Sequence, residues 1–193
     1  IGRFDESISE YLIALEKDLF NILINTETGL AFLMAGRTDE AIERQQRTIQ
    51  IYPRGFLAHV NLGESLEVKG LLDQAIESYE KAVNLSNGSP MPETRLACAW
   101  FKAGKRKEAR EIIDRVEQMK EEVYIPSSLF VPYYLLNNDL NRAFDWLNKA
   151  VQERCFDLPR LMSTPIIEHR MPDDSRFNAL LEQTGLNKYK ILG

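Results

Sequence analysis

The chain is poor in cysteine and histidine, has two of each, and carries no long apolar run. Cys98 and Cys155 lie far apart and form no CxxC pair, so a disulfide framework is excluded. They read as small apolar residues of a reduced, cytoplasmic protein. His59 and His169 stand in no HExxH, EF-hand or paired-histidine spacing, and the sequence offers no metal site. No segment approaches the roughly 18 consecutive apolar residues that a membrane helix needs, so no membrane contact is expected. Ten glycines are present, none spaced as GxGxxG or as a Walker loop, and no Ser, Cys or Thr has a nucleophile's context. The expectation is no catalytic residue, no cofactor and no enzyme, an unrecognised helical hydrolase or transferase being the alternative. Cations are also short: 24 Lys and Arg face 29 Asp and Glu, for a net charge of -5. That balance argues against a nucleic-acid partner, which would need many cations to displace phosphate counterions. The single basic cluster, Lys102, Lys105, Arg106, Lys107 and Arg110, reads as a solvated turn, with docking of an acidic partner as its other reading. The chain begins at Ile1 without a signal-like stretch, which leaves targeting open.

What is present is a repeat. Residues 56–89 read as two amphipathic helices joined at Gly70. Leu57, Val60, Leu62 and Leu66 mark the first; Leu72, Ala75, Ile76, Tyr79, Ala82 and Val83 mark the second, at the three-and-four spacing of a buried helical face. A step of 34 residues finds the same turn at Gly2, Gly36, Gly70 and Gly104, and Asn replaces Gly at Asn138. Further columns keep phase: Gly29, Gly63, Ala97, Val131; Ser7, Ala41, Ala75, Ala109, Ala143; Tyr11, Gln45, Tyr79, Ile113, Leu147; and Ala14, Thr48, Ala82, Val116, Ala150. A lone hairpin cannot bury so much apolar surface, so the copies must pack on one another.

At these residues the chain resembles the tetratricopeptide repeat family. Leu62-Gly63, Ala75, Tyr79 and Ala82 match its pattern in the middle copy, and Gly29, Phe32, Ala41 and Pro53 in the copy before. Leu96, Trp100, Gly104 and Ala109 match in the third, and Tyr134, Ala143 and Ala150 in the fourth; Thr28, Gln45, Thr48, Leu66 and Val131 depart. The resemblance implies an all-α, right-handed α-solenoid of antiparallel helix pairs, about four and a half hairpins plus a C-terminal capping helix. Its parts would be a half repeat 1–21, repeats 22–55, 56–89, 90–123 and 124–157, and an irregular segment with a capping helix over 158–193. The cap is expected at Ser175–Thr184, started by Asp173 or Asp174 and ended by Gly185, with Phe177, Leu180, Leu181 and Leu186 covering the last hairpin. Residues 174–186 also resemble the tail that closes bacterial multidomain regulators of this family.

The resemblance further implies a non-catalytic module that holds a peptide or partner domain in an apolar concave groove of leading helices. It would be the interaction region of a larger bacterial regulatory or signalling protein, binding a separate polypeptide or an upstream domain of its own. The family's groove positions fall on Leu23, Thr26, Leu30 and Leu33, then on Leu57, Val60, Asn61, Glu64 and Glu67. They continue at Met91, Thr94, Arg95, Cys98 and Phe101, then at Ile125, Ser128 and Leu135. Some of these would pack against neighbouring helices instead. The branch that grips C-terminal carboxylates is matched only by Asn61 and Arg95, since Thr26, Leu30 and Met91 fill the other positions. The alternative function is self-association into a homodimer through Ile8, Tyr11 and Leu15, an apolar face of the half repeat expected to lack one partner.

Overall fold

Left-handed backbone recurs at the interval set by the repeat. φ is +74° at Gly36, +82° at Gly70, +85° at Gly104 and +59° at Asn138. Each of these residues closes a helix in the same way. The amides of Arg37, Leu71, Lys105 and Asp139 donate to the carbonyls of Phe32, Leu66, Trp100 and Tyr134, each at 2.9 Å. Such a turn satisfies carbonyls that a helix end leaves without partners, and its corner needs a residue at ease with positive φ. In two of the copies a cation after the turn lies over the aromatic before it, while in the fourth Asp139 follows the turn and Arg142 lies over Tyr134 instead. Arg37 lies 4.7 Å over the Phe32 ring and Lys105 5.5 Å over Trp100, whereas the copy with Leu66 has Leu71 in the cation's place.

A computed structural model of the chain describes residues 3–162, 164–171 and 174–185. The expectations placed on Gly2, Asp173 and Leu186 lie outside the described residues. Within them the fold is all-α, of the α-solenoid class, and contains no strand. The helices are α1 (Phe4–Lys17), α2 (Ile22–Met34), α3 (Thr38–Ile51), α4 (Phe56–Val68), α5 (Leu72–Leu85), α6 (Pro90–Lys102) and α7 (Arg106–Met119). After them come α8 (Val131–Leu136), α9 (Leu140–Gln152), α10 (Leu158–Met162), α11 (Pro165–Arg170) and α12 (Ser175–Thr184). The chain divides into two compact units, 1–99 and 100–193.

In the first unit α2 pairs with α3 and α4 with α5; α1 packs on α2, α3 on α4, and α2 touches α4. The second helix of each pair supplies the sealed layer: Ala41, Gln45, Thr48, Ala75, Tyr79 and Ala82 are all fully buried. Large residues fit there because the leading helix has glycine at the crossing. A Cβ on Gly63 would stand 2.5 Å from Tyr79 Cε1, and one on Gly29 2.0 Å from Gln45 Nε2. In α1 the equivalent layer is not sealed: Ser7 is exposed, and Tyr11 and Ala14 are half-buried. Ile8 and Leu15, expected on an open face, are instead buried, Ile8 beside Ala31, Phe32 and Ala41. Their stripe is used inside the chain because α1 packs on α2, so of the three proposed contact residues only Tyr11 keeps accessible surface.

In the second unit Ala109, Ile113, Val116, Ala143, Leu147 and Ala150 are likewise fully buried. Its fourth repeat lacks a full leading helix. A 3-10 turn, Ser127–Leu129, precedes the six-residue α8, with Pro132 in the first turn of α8. The Ser127 side chain caps no helix and joins a latch at Glu153. That carboxylate accepts from Ser127 N at 3.0 Å, Ser127 Oγ at 2.8 Å and Lys120 Nζ at 2.8 Å. Residues 165–170, expected to be irregular, form α11, because Pro165 opens the helix at a position where a missing N–H costs nothing. The terminal helix keeps its predicted bounds, with Asp174 accepting from Arg176 N at 2.9 Å and Gly185 at φ +69°. Phe177, Leu180 and Leu181 are buried, and α12 packs on α9.

Candidate interaction surface

The leading helices present the predicted groove positions, and burial sorts them by column. Leu23 in α2 and Leu57 in α4 are 62% and 40% exposed, and Met91, next in the same column, is half-buried. Leu30, Leu33, Glu64, Glu67 and Arg95 all keep partial exposure. Thr26, Val60 and Asn61 do not, and neither do Thr94 and Cys98. Thr26 shows why: its hydroxyl donates to Ile22 O at 2.6 Å, and its carbonyl accepts from Gln45 Nε2 at 3.1 Å. Thr26 and Val60 are therefore buried positions, not lining ones. In the second unit Phe101 is half-buried, edge-on to Tyr133 at 5.8 Å and beneath Arg106 at 5.2 Å. Ile125, Ser128 and Leu135 are buried there, which makes Leu135 a core residue instead of a lining one.

Two groove residues that the sequence placed on separate copies meet. Arg95 Nε of α6 lies 3.1 Å from Glu64 Oε1 of α4 as an ion pair, without the alignment of a full hydrogen bond. Burial opposes the charge on Arg95, but Glu64, with help from Tyr79 and Glu67, outweighs it and holds the guanidinium above its ordinary pKa. One turn further along α4, Glu67 accepts from the Tyr79 hydroxyl at 3.1 Å. Burial first, then Glu67 and Glu64, push that phenol well above its ordinary value. The face is therefore apolar along α2 and charged where α4 meets α6. The Tyr79–Glu67 bond had no signal in the sequence, because it joins a core position to a groove position within one hairpin.

His59 is buried, and its pKa is lowered by burial, with Lys81 adding to this and a bond to the Pro53 backbone opposing it. His169 is exposed on α11. Both cysteines are buried, and they form no disulfide with each other. Much of the basic cluster is tied locally: Arg110 pairs with Asp114 at 2.7 Å, and Lys105 and Arg106 lie over Trp100 and Phe101. Among the described residues no group of three or more His, Cys, Asp or Glu is placed to hold a metal ion. No helix among them is long and apolar enough to cross a membrane.

Hairpins in constant phase, with sealed second helices and partly open leading ones, define a helical-repeat protein-interaction module, a class without catalytic machinery of its own. Residues 1–56 match one tetratricopeptide repeat family model and residues 57–88 another, so these residues are tetratricopeptide repeats. Crystal structures of MamA share the fold. One, at 18% identity, covers 79% of this chain and 90% of its own with a TM-score of 0.57. MamA of AMB-1, at 21% identity, covers 64% and 68% with a TM-score of 0.52. No curated protein matches the chain in sequence.

Proposed function

We propose that the first unit grips a polypeptide on the leading-helix face of α2, α4 and the start of α6. The supporting observation is the contrast in burial: second-helix columns are sealed, while Leu23, Leu30, Leu33 and Leu57 keep apolar surface accessible. Apolar anchors carry most of the affinity in such a contact, and the Glu64–Arg95 pair sets its polar end. We place the module within a larger bacterial regulatory or signalling protein, where a partner protein or another domain of the same polypeptide would occupy the face; the resemblance of residues 174–186 to regulator tails supports this placement. Peptides selected from a random displayed library test the groove. Leu30→Asp with Leu33→Asp should weaken selected peptides by about tenfold or more while helicity is kept. Undiminished binding to that variant would refute the assignment.

A second reading, self-association, is favoured by an open cavity of about 410 Å³ on α1, lined by Arg3, Glu6, Ser7, Glu10 and Tyr11. If this face joins two chains, Tyr11→Arg shifts the sedimentation of the protein from dimer to monomer. A monomeric wild-type protein at high concentration would dismiss it.

A further inference from the structure

The apolar surface of the first unit extends past the groove to the loop between α1 and α2. Leu19 and Phe20 are 55% and 66% exposed there, and Leu12, Ile13 and Ile22 around them are also exposed. The repeat does not require them. The same two positions are Pro53 and Arg54, then Asn87 and Gly88, then Glu121 and Glu122 in the copies that follow. An aromatic returns only at Phe156, in the second unit, where it is 90% exposed.

Nor is this a loose loop. Asn21 Oδ1 accepts from Ile24 N at 3.1 Å and starts α2. The fully buried Asn25 spends its amide nitrogen on the loop, donating to Leu19 O at 2.8 Å and to Asn21 O at 2.9 Å. Ile22 packs beside Gly55, which brings the loop to the start of α4 and to the exposed Leu57. Leu19 and Phe20 are thus held outward by a built turn, at the end of the Leu23–Leu57 column.

The charge around this edge selects its occupant. Residues 1–35 hold six carboxylates, Asp5 to Glu27, against Arg3 and Lys17, a net of -4 out of the chain's -5. Glu16, Lys17 and Asp18, two acids and one base, immediately precede the exposed pair and are themselves exposed. An acidic hairpin with an apolar edge attracts cations and repels anionic surfaces. We propose that the α1–α2 loop edge docks a basic amphipathic helix of a partner protein, its apolar stripe on Leu19, Phe20 and Leu23 and its Lys or Arg residues toward α1. This deepens the interaction reading above, adding a second anchor point and the charge of the partner.

Fluorescence anisotropy of the full chain with a labelled helical peptide of Leu and Lys at three-and-four spacing tests the idea, with the same peptide bearing Glu in place of Lys as control. The lysine peptide should bind, more weakly as salt rises, and the glutamate peptide should not. Leu19→Ser with Phe20→Ser should weaken binding by about tenfold or more, and Glu77→Gln, exposed on α5 away from both surfaces, should leave it within about twofold, with Leu30→Asp with Leu33→Asp run beside them as the groove arm. Circular dichroism checks that each variant is folded, as exposed positions should allow. Equal binding of both peptides, no binding of either, or wild-type binding by the Leu19/Phe20 variant would overturn the proposal. Loss only in the Leu30/Leu33 variant would overturn it too and leave the groove reading standing. Sedimentation of the protein with neutral phosphatidylcholine vesicles, abolished in the Leu19/Phe20 variant, would reassign the edge to lipid and equally overturn it.

Discussion

Gly63→Ala is the sharpest test of the hairpin packing, because helix propensity and packing predict opposite signs. In an exposed helix interior the change from Gly to Ala stabilises by about 1 kcal/mol. Here the new Cβ would stand 2.5 Å from Tyr79 Cε1 and 2.8 Å from both Cδ1 and Cζ, closer than real Cβ contacts come. Tyr79 has little room to yield, since its ring is fully buried and its hydroxyl is tied to Glu67 at 3.1 Å. Overpacking of this kind costs about 1–3 kcal/mol, and more when a hydrogen bond is lost with it. The net expectation is a loss of about 1–2 kcal/mol, seen as a lower urea midpoint by circular dichroism and faster hydrogen exchange in α4 and α5. The repeat supplies its own compensation: where Ala97 and Val131 replace the glycine, Ile113 and Leu147 replace the tyrosine. In a Tyr79→Ile background Gly63→Ala should therefore become stabilising by about 0.5–1 kcal/mol, a coupling of about 2 kcal/mol. A Gly63→Ala protein more stable than wild type, or an equal effect in both backgrounds, would refute this account of the crossing.

Other substitutions probe the second unit. Glu153→Gln should cost about 1–3 kcal/mol near neutral pH by weakening the latch to Lys120 and Ser127. Burial alone would raise the Glu153 pKa, but the bonds from Lys120 and Ser127 outweigh it and hold the carboxyl below its ordinary value. Its contribution is therefore present above the ordinary glutamate pKa and lost as pH falls through the depressed one, so urea midpoints of the two proteins should converge under acid. Tyr134→Phe should cost about 1–2 kcal/mol, because the hydroxyl donates to Glu117 and accepts from Arg142 at 3.2 Å. Burial and the bond to Glu117 push that phenol up to about 12, so wild-type stability should decline as pH rises from the ordinary tyrosine value toward it, a slope the Phe variant lacks. Asn138→Gly should raise the thermal midpoint by up to a few degrees, whereas Gly70→Ala should lower it, since both positions have positive φ.

The repeat was legible because its cheapest markers are backbone constraints. Positive φ at the turns and the close crossing at Gly29 and Gly63 restrict residue choice strongly enough to survive as columns. The same held for α12, whose start at Asp174 and end at Gly185 use local capping chemistry. Less was legible where partners lie far apart in sequence or where one residue type has two uses. Pro165 lies in the segment expected to be irregular, although a proline at a helix start is favourable. Nothing local announces that Ser127 bonds Glu153, 26 residues away. On the surface, the family's groove columns mixed partly exposed residues with buried ones. Leu30 and Thr26 differ in burial although both carry the same family role, because the columns do not say how far each side chain reaches the neighbouring second helix. The Leu19–Phe20 edge escaped the columns altogether, being the place where this chain departs from its own repeat.

The most direct test of the central claim, that the leading-helix face of the first unit is the gripping surface, is a nuclear magnetic resonance titration of the folded chain with a library-selected peptide. Shifts concentrated on Leu23, Leu30, Leu33, Leu57 and Glu64 are the predicted result. Shifts confined to the outward residues of α3 and α5, such as Glu43, Arg47 and Glu77, with the leading helices silent, would contradict it.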